Sequence, residues 1–173
     1  GKGVQRSIRE AVKYLNMARK AGAAEAVFEL AIIAQKEGRL NDCFALLQEG
    51  AGRNHIASLK KLSGLLIDLK QDYKSAVTFL KTAASLGDSE AMYYLGRIYF
   101  KQDEMKDDVK AREWISLAAD KGHASSLHLL GTFYRNGHGV PKDYQKAEDL
   151  LKQAAAKNDV NSLETLGDMY FLG

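Results

Sequence analysis

The chain has 173 residues, of which 46% are hydrophobic and 27% charged, and it contains one proline and one cysteine. This length and apolar content suffice for a buried core, whereas one cysteine excludes an internal disulfide framework and a cysteine-rich zinc site. The net charge of +3 is a weak indication of a nucleic acid or anionic membrane partner. No run approaches the roughly 20 apolar residues of a membrane span, and the N-terminus lacks the apolar stretch of a secretory signal.

The low proline content and the runs of Ala, Leu, Lys and Glu predict helices along the whole chain. In chain order they cover about residues 7–21, 23–37, 40–53, 55–69, 72–86, 88–101, 108–121, 123–136, 143–157 and 159–172.

A motif that recurs five times defines a repeat. A Gly or Asn anchor ends one helix, a small residue follows four positions later, and leucine and a second small residue follow after four more. The anchors are Gly22, Asn54, Gly87, Gly122 and Asn158, and the leucines are Leu30, Leu62, Leu95, Leu130 and Leu166. Gly and Asn tolerate the left-handed conformation that ends helices, so we interpret the anchors as C-terminal caps. The helix after each anchor is called the first helix of its repeat.

The second helix of each repeat has a pattern of its own. It opens at a predicted N-cap and places a small residue four positions later, then a bulky pair and another small residue. The predicted N-caps are Ser7, Arg39, Asp72, Asp107 and Asp143, and the small residues are Ala11, Cys43, Ala76, Ala111 and Ala147. Because Cys43 stands in this small-residue column, we interpret it as a buried structural residue rather than a reactive thiol.

Only the loop between the first and second helix changes its length. From Ala34, Leu66, Tyr99 and Tyr134 to the next predicted N-cap the distance is 5, 6, 8 and 9 residues, while the repeat length rises from 32 to 33, 35 and 36. Stacked helices cannot absorb an insertion, whereas a surface loop can. The spacing therefore predicts stacked helix hairpins.

The fourth copy is the most complete. It contains Ser126, Leu130-Gly131, Tyr134, Gly137-His138-Gly139-Val140, Asp143, Lys146-Ala147 and Ala154-Ala155. We call the segment Gly137-His138-Gly139-Val140 the glycine loop. This pattern resembles the Sel-one-like repeat (SLR), a branch of the tetratricopeptide-like helical solenoids. The resemblance implies an all-α, right-handed superhelical solenoid of antiparallel helix hairpins, and it extends over the whole chain, although the first two copies lack the glycine loop and the tyrosine.

The repeats predict a single array. Units 23–54, 55–87, 88–122 and 123–158 are flanked by half units 1–22 and 159–173. The opening Gly1-Lys2-Gly3-Val4 matches the glycine loop, and Gly1 and Gly173 both take the motif position of Gly137. We therefore expect the chain to begin and end inside a loop, as an excerpt of a longer protein.

The sequence offers no catalytic, cofactor or metal site. His55 and His123 follow an anchor in two different repeats, which favours a role in the turn. His123 and His128 are five residues apart, which does not place two ligands on one helical face. No nucleophile stands in a recognisable order with a histidine and an acid. We expect a protein that is not an enzyme.

The residues that vary most between repeats share one face of the first helices, because they lie 6, 10 and 13 positions after the anchor. By resemblance, this face lines the concave surface. The predicted partner-binding residues are Phe28, Ile32, Tyr93, Arg97, Phe100, His128, Thr132 and Arg135. Aromatic side chains would anchor a protein or peptide, and Arg97 and Arg135 would orient it through carboxylates. Alternatively, these positions are ordinary variable surface, with some aromatics covered by the adjacent repeat.

The function predicted from these features is that of a non-catalytic adaptor for a protein or peptide, without a nucleic acid partner or membrane insertion. A second hypothesis is structural self-assembly, with arrays stacking end to end or forming homo-oligomers through their terminal helices. The single cysteine and the absence of an Asn-x-Ser/Thr sequon favour a reducing intracellular compartment, either the cytosol or the mitochondrial interior.

Overall fold

The computed structural model describes the backbone of residues 2–172 and the side chains of residues 7–171. This part of the chain forms α-helices, one short 3-10 helix (Asp103–Met105) and no β-strand. The α-helices are α1 (Lys2–Lys20), α2 (Ala24–Lys36), α3 (Leu40–Gly52), α4 (Ile56–Lys70), α5 (Tyr73–Ser85), α6 (Ser89–Lys101), α7 (Asp108–Asp120), α8 (Ala124–Asn136), α9 (Tyr144–Ala155) and α10 (Val160–Leu172). The predicted all-α fold is confirmed, and from α2 onward each helix begins and ends within two residues of its predicted bounds.

The helices divide into two compact units, Gly1–Leu86 with α1 to α5 and Gly87–Gly173 with α6 to α10. In unit 1, α2 pairs with α3 and α4 with α5, while α1 packs on α2 and α3 on α4. In unit 2, α6 pairs with α7 and α8 with α9, while α7 packs on α8 and α9 on α10. Each unit is thus built from helix hairpins in which a first helix contacts the second helix that follows it.

The repeated leucines and small residues form the core of both units. All five leucines of the first helices are buried, between 0% and 9% exposed. Cys43 is fully buried among the small residues of the second helices, as predicted, and this burial raises the pKa of its thiol. Small side chains at these positions let neighbouring helices approach closely, and the leucines fill the space between them.

The glycines in the first helices mark the closest approaches. A Cβ added at Gly96 would lie 2.4 Å from Ile115 Cγ1, and one at Gly131 would lie 2.9 Å from Leu151 Cγ. Both positions face the second helix of the same hairpin. Gly167, at the equivalent position of α10, has no such neighbour within 4 Å.

All five anchors adopt the left-handed conformation that their residue types predict. The φ angles are +97° at Gly22, +56° at Asn54, +92° at Gly87, +76° at Gly122 and +64° at Asn158. Each therefore ends a second helix.

One hydrogen bond closes every variable loop, whatever the length of the loop. The backbone N–H at the start of the second helix donates to the carbonyl oxygen of a residue near the end of the first helix, four positions after its repeated leucine. The four bonds are Arg39 to Ala34 (2.9 Å), Asp72 to Leu66 (3.0 Å), Asp107 to Tyr99 (2.8 Å) and Asp143 to Tyr134 (2.9 Å). The ends of each loop are thus held in the same arrangement while its middle changes.

The predicted start of α1 is wrong. α1 begins at Lys2 rather than after Ser7, so Lys2–Val4 are helical, and Gly1 and Gly173 lie outside the described residues. In the fourth copy, Gly137 and Gly139 have positive φ and Pro141 follows the motif. The first copy has Gln5 in the place of that proline, so its sequence contains no residue that prevents the helix from continuing.

Candidate partner-binding face

The predicted partner-binding residues occupy one face of three first helices, which we call the first-helix face. All eight of its residues are half-buried. Phe28 and Ile32 lie on α2 in unit 1, whereas the other six lie on α6 and α8 in unit 2. The structure therefore places the predicted residues on two separate units.

In unit 1, Phe28 contacts the turn of the next repeat. Its ring lies edge-on to His55, with 5.5 Å between the ring centroids. The adjacent repeat thus covers part of this aromatic side chain, as the alternative interpretation expects. Ile32, one helical turn further along α2, is half-buried.

His55 also links two polar side chains. Its Nδ1 lies 2.9 Å from Ser58 Oγ, and its Nε2 lies 2.9 Å from Glu25 Oε2. The order serine–histidine–carboxylate resembles that of a hydrolase, but Ser58 is fully buried and its hydroxyl lies beside Gly50, where an added Cβ would be 2.2 Å away. A substrate cannot reach this hydroxyl, so we interpret the two hydrogen bonds of His55 as contacts that stabilise the turn.

In unit 2, α6 contributes an aromatic and cationic group. The Tyr93 ring lies 5.0 Å from that of His123 and 5.7 Å from that of Tyr94. The guanidinium of Arg97 lies 5.6 Å from the Tyr93 ring centroid, within range of a cation–π interaction. Tyr94 is 39% exposed, so this patch also contains a tyrosine that the sequence pattern did not select.

Phe100 packs against other ring side chains of unit 2. Its ring lies 4.8 Å from that of Phe133, which is buried, and 5.2 Å from that of His138 in the glycine loop. The ring thus takes part in packing between consecutive repeats of unit 2. Only the part of Phe100 that remains exposed is open to a partner.

The three predicted residues of α8 differ in the hydrogen bonds that they already form within unit 2. His128 Nε2 lies 3.2 Å from Thr165 Oγ1, and burial lowers the pKa of His128, although Asp159 opposes this shift. The Thr132 hydroxyl donates to the His128 carbonyl oxygen (3.1 Å). Arg135 Nε donates to the side-chain oxygen of the neighbouring Asn136 at 3.3 Å.

Arg97 and Arg135 differ from the arginines of unit 1 in their pairing. Among the described residues, neither guanidinium forms an ion pair with a carboxylate. Three arginines of unit 1 do so: Arg19 and Arg53 with Glu49, and Arg39 with Glu37 and Asp42. The first-helix face of unit 2 therefore presents two half-buried cations that can still accept an anionic partner.

The turns before the first helices contain capping residues that the sequence pattern missed. Asp88 Oδ1 accepts from Ala91 N at 2.7 Å, and Asp159 Oδ1 accepts from Ser162 N at 2.9 Å. His123, like His55, is an N-cap residue whose Nδ1 lies 2.9 Å from the serine three positions later, here Ser126. All four capping residues directly follow an anchor, and this position was the signal in the sequence that could have identified them. The predicted role of His55 and His123 in the turn is confirmed.

No group of three or more His, Cys, Asp or Glu side chains within the described part of the chain is arranged to hold a metal ion. None of the helices in it combines the length and hydropathy that crossing a membrane requires.

Comparison with known proteins supplies the context for this geometry. The family model "Sel1 repeat" matches residues 1–22, 61–88, 89–123 and 124–159. A solved structure of a protective antigen from uropathogenic Escherichia coli strains, which displays an SLR fold, superposes with a TM-score of 0.84 and 28% identity, covering 92% of this chain and 36% of that one.

Two curated relatives extend the comparison to proteins of fungi and animals. The chitin synthase regulator SKT5 of Saccharomyces cerevisiae is 29% identical over 96% of this chain and 26% of its own length. The "DAP3-binding cell death enhancer 1" of Mus musculus is 33% identical over 55% of this chain and 18% of its own length. The chain thus spans about a quarter or less of each of these relatives.

Proposed function

We propose that this chain, which belongs to the Sel1-repeat family, is a scaffold that binds an acidic segment of a partner protein on the part of its first-helix face that lies in unit 2. Members of this family act in protein–protein interaction and are typically non-catalytic. The observation that carries this proposal is the pair of arginines, Arg97 and Arg135, which lack a carboxylate partner among the described residues. A partner segment with carboxylates at matching positions would complete two charge-assisted hydrogen-bonded pairs.

The aromatic residues next to Arg97 support the same proposal. Tyr93 and Tyr94 present partly exposed rings, and aromatic and arginine side chains are the residue types that contribute most to binding at protein interfaces. Arg97 is held over the Tyr93 ring, so less side-chain entropy is lost when a partner binds it.

The remaining predicted residues have smaller roles in this proposal. Phe28 and Ile32 would offer a separate apolar patch on unit 1. Phe100 would contribute part of its ring, while His128 and Thr132 are already engaged in hydrogen bonds within unit 2. The main contacts of a partner with unit 2 would therefore be made by Tyr93, Arg97 and Arg135.

The first test uses a displayed library of random peptides, selected against the full chain. We expect the selected peptides to be enriched in Asp and Glu. The double variant Tyr93→Ala/Arg97→Ala should weaken their binding by about 2 kcal/mol, roughly 30-fold, measured by isothermal titration calorimetry. Arg135→Ala alone should weaken it less.

The matched control is Lys142→Ala/Tyr144→Ala, which removes an exposed lysine and an exposed tyrosine at the start of the second helix α9. This control should bind the selected peptides as the unchanged chain does, and circular dichroism should show equal helicity for all variants. Peptides without acidic enrichment, or equal affinity for Tyr93→Ala/Arg97→Ala, would contradict the proposal.

A further inference from the structure

The first helices of unit 2 lie side by side in chain order. The Phe100 ring of α6 lies 4.8 Å from the Phe133 ring of α8, and His128 Nε2 of α8 lies 3.2 Å from Thr165 Oγ1 of α10. α8 therefore stands between α6 and α10. A partner segment that crosses these helices at a right angle passes over all three in succession.

The charge at equivalent motif positions changes sign across these three helices. The positions 6 and 10 residues after the anchor hold Tyr93 and Arg97 on α6 but Glu164 and Asp168 on α10. On α8 the arginine of the first-helix face is Arg135, three positions further along the motif. α6 and α8 thus contribute one cation each, whereas α10 contributes two carboxylates.

These motif positions stay accessible on a first helix that has neighbours on both sides. α8 lies between α6 and α10, and its residues His128 and Thr132 are nevertheless only half-buried. Glu164 and Asp168 occupy the same two motif positions on α10. Their accessibility therefore follows from the motif position and does not depend on whether a further helix packs beside α10.

The charges of the three helices are not neutralised within the chain. Among the side chains that the structure describes, neither Glu164 nor Asp168 takes part in an ion pair, and the same holds for Arg97 and Arg135. Burial lowers the pKa of His128, so this histidine is mainly neutral at pH 7 and adds little positive charge. Both the cations and the carboxylates can therefore pair with charges of a partner.

From this arrangement we propose that the segment bound on unit 2 has charges of both signs: its acidic residues lie over α6 and α8, and a basic residue lies over α10 beside Glu164 and Asp168. This inference rests on the function proposed above. A segment that is acidic throughout would bring like charges together at α10, which lowers its affinity. The order of charges therefore decides which end of the segment lies over α10.

Helix packing sets the expected spacing between these charges. Neighbouring helices lie about 10 Å apart, and an extended segment advances about 3.3 Å per residue. The basic residue should therefore stand about three residues from the acidic residue that pairs with Arg135, and about six from the one that pairs with Arg97.

The experiment starts from the displayed library of random peptides, selected against the full chain. We expect the selected peptides to contain Lys or Arg about three to six residues to one side of Asp or Glu. One such peptide is then synthesised with its basic residue and with Gln in that place. By isothermal titration calorimetry, the Gln peptide should bind the unchanged chain about fivefold more weakly, whereas Glu164→Gln/Asp168→Asn should bind both peptides equally.

The matched control is Glu113→Gln/Asp120→Asn, which removes two exposed carboxylates from the second helix α7 and should keep the difference between the peptides. Acidic peptides without a basic residue would overturn this inference and leave the binding of acidic segments standing. A difference between the two peptides that persists in Glu164→Gln/Asp168→Asn would have the same meaning. Selected peptides without acidic enrichment would overturn both proposals.

Discussion

Single glycines control how closely the helices of a hairpin approach. We expect Gly131→Ala to lower the free energy of unfolding by about 1–2 kcal/mol, because its Cβ must displace Leu151 and approach the Ala147 carbonyl. Gly96→Ala should act in the same direction through Ile115. Chemical denaturation monitored by circular dichroism measures both.

Gly167→Ala provides the matched control for this prediction, since it makes the same change at the same motif position. No atom lies within 4 Å of the added Cβ, so this substitution should leave stability unchanged or raise it by about 0.5 kcal/mol through better helix propensity. Equal losses at Gly131 and Gly167 would show that contact with the second helix does not decide the effect.

The aspartate caps make the free energy of unfolding depend on pH in the acidic range. Asp107 Oδ1 accepts from Lys110 N at 2.9 Å, and the pKa of Asp107 is lowered by its hydrogen bonds with the Lys110 side chain and backbone. A carboxylate whose folded-state pKa lies below its ordinary value of about 3.9 stabilises the fold above that pH, and this stabilisation is lost as the pH falls through the lowered pKa.

We therefore expect Asp107→Asn, which retains a capping oxygen, to lose less thermal stability than the unchanged chain between about pH 4 and pH 2. Melting temperatures across this range measure the difference. Asp149→Asn, at an exposed site in the interior of α9, is the control and should keep the steeper acid dependence. Parallel curves for Asp107→Asn and the unchanged chain would contradict the assignment.

At the scale of elements, the constant closing bond separates loop length from helix packing. Two residues inserted after His138, inside a loop closed by Asp143 and Tyr134, should cost less than about 1 kcal/mol, because loop closure entropy grows slowly with length. The same insertion after Lys157 should cost several times more, since it separates α9 from α10 at a turn of fixed length. Denaturation midpoints of the two insertions test this, and equal costs would count against it.

The bounds of the helices could be predicted because their ends depend on local chemistry. Gly and Asn at the anchors fix a positive φ, and Asp72, Asp107 and Asp143 cap the helices that follow. The start of α1 could not be predicted in this way. The glycine motif alone does not end or begin a helix, and in the first copy it lacks the proline that follows it in the fourth.

At the scale of the whole molecule, the repeat pattern predicted which residues share the first-helix face but not their surroundings. Whether Phe28 meets His55, or Phe100 meets Phe133, depends on how closely consecutive repeats stack, and periodicity contains no such distance. The pairing state of Arg97 and Arg135 was likewise hidden, because it depends on carboxylates of other helices. Residue types and spacing therefore indicate a face, whereas contacts decide which of its members remain available.

The turns between repeats couple two positions that lie three residues apart. His55 is bonded to Ser58 and His123 to Ser126, whereas Asp88 caps the backbone N–H of Ala91. A repeat transplanted from another protein of this type would consequently carry its own compatible pair of hydrogen-bonded residues. Recombination at an anchor, which precedes both residues of the pair, would keep the pair intact. Whole repeats are therefore the natural units in which such chains can be shuffled or lengthened.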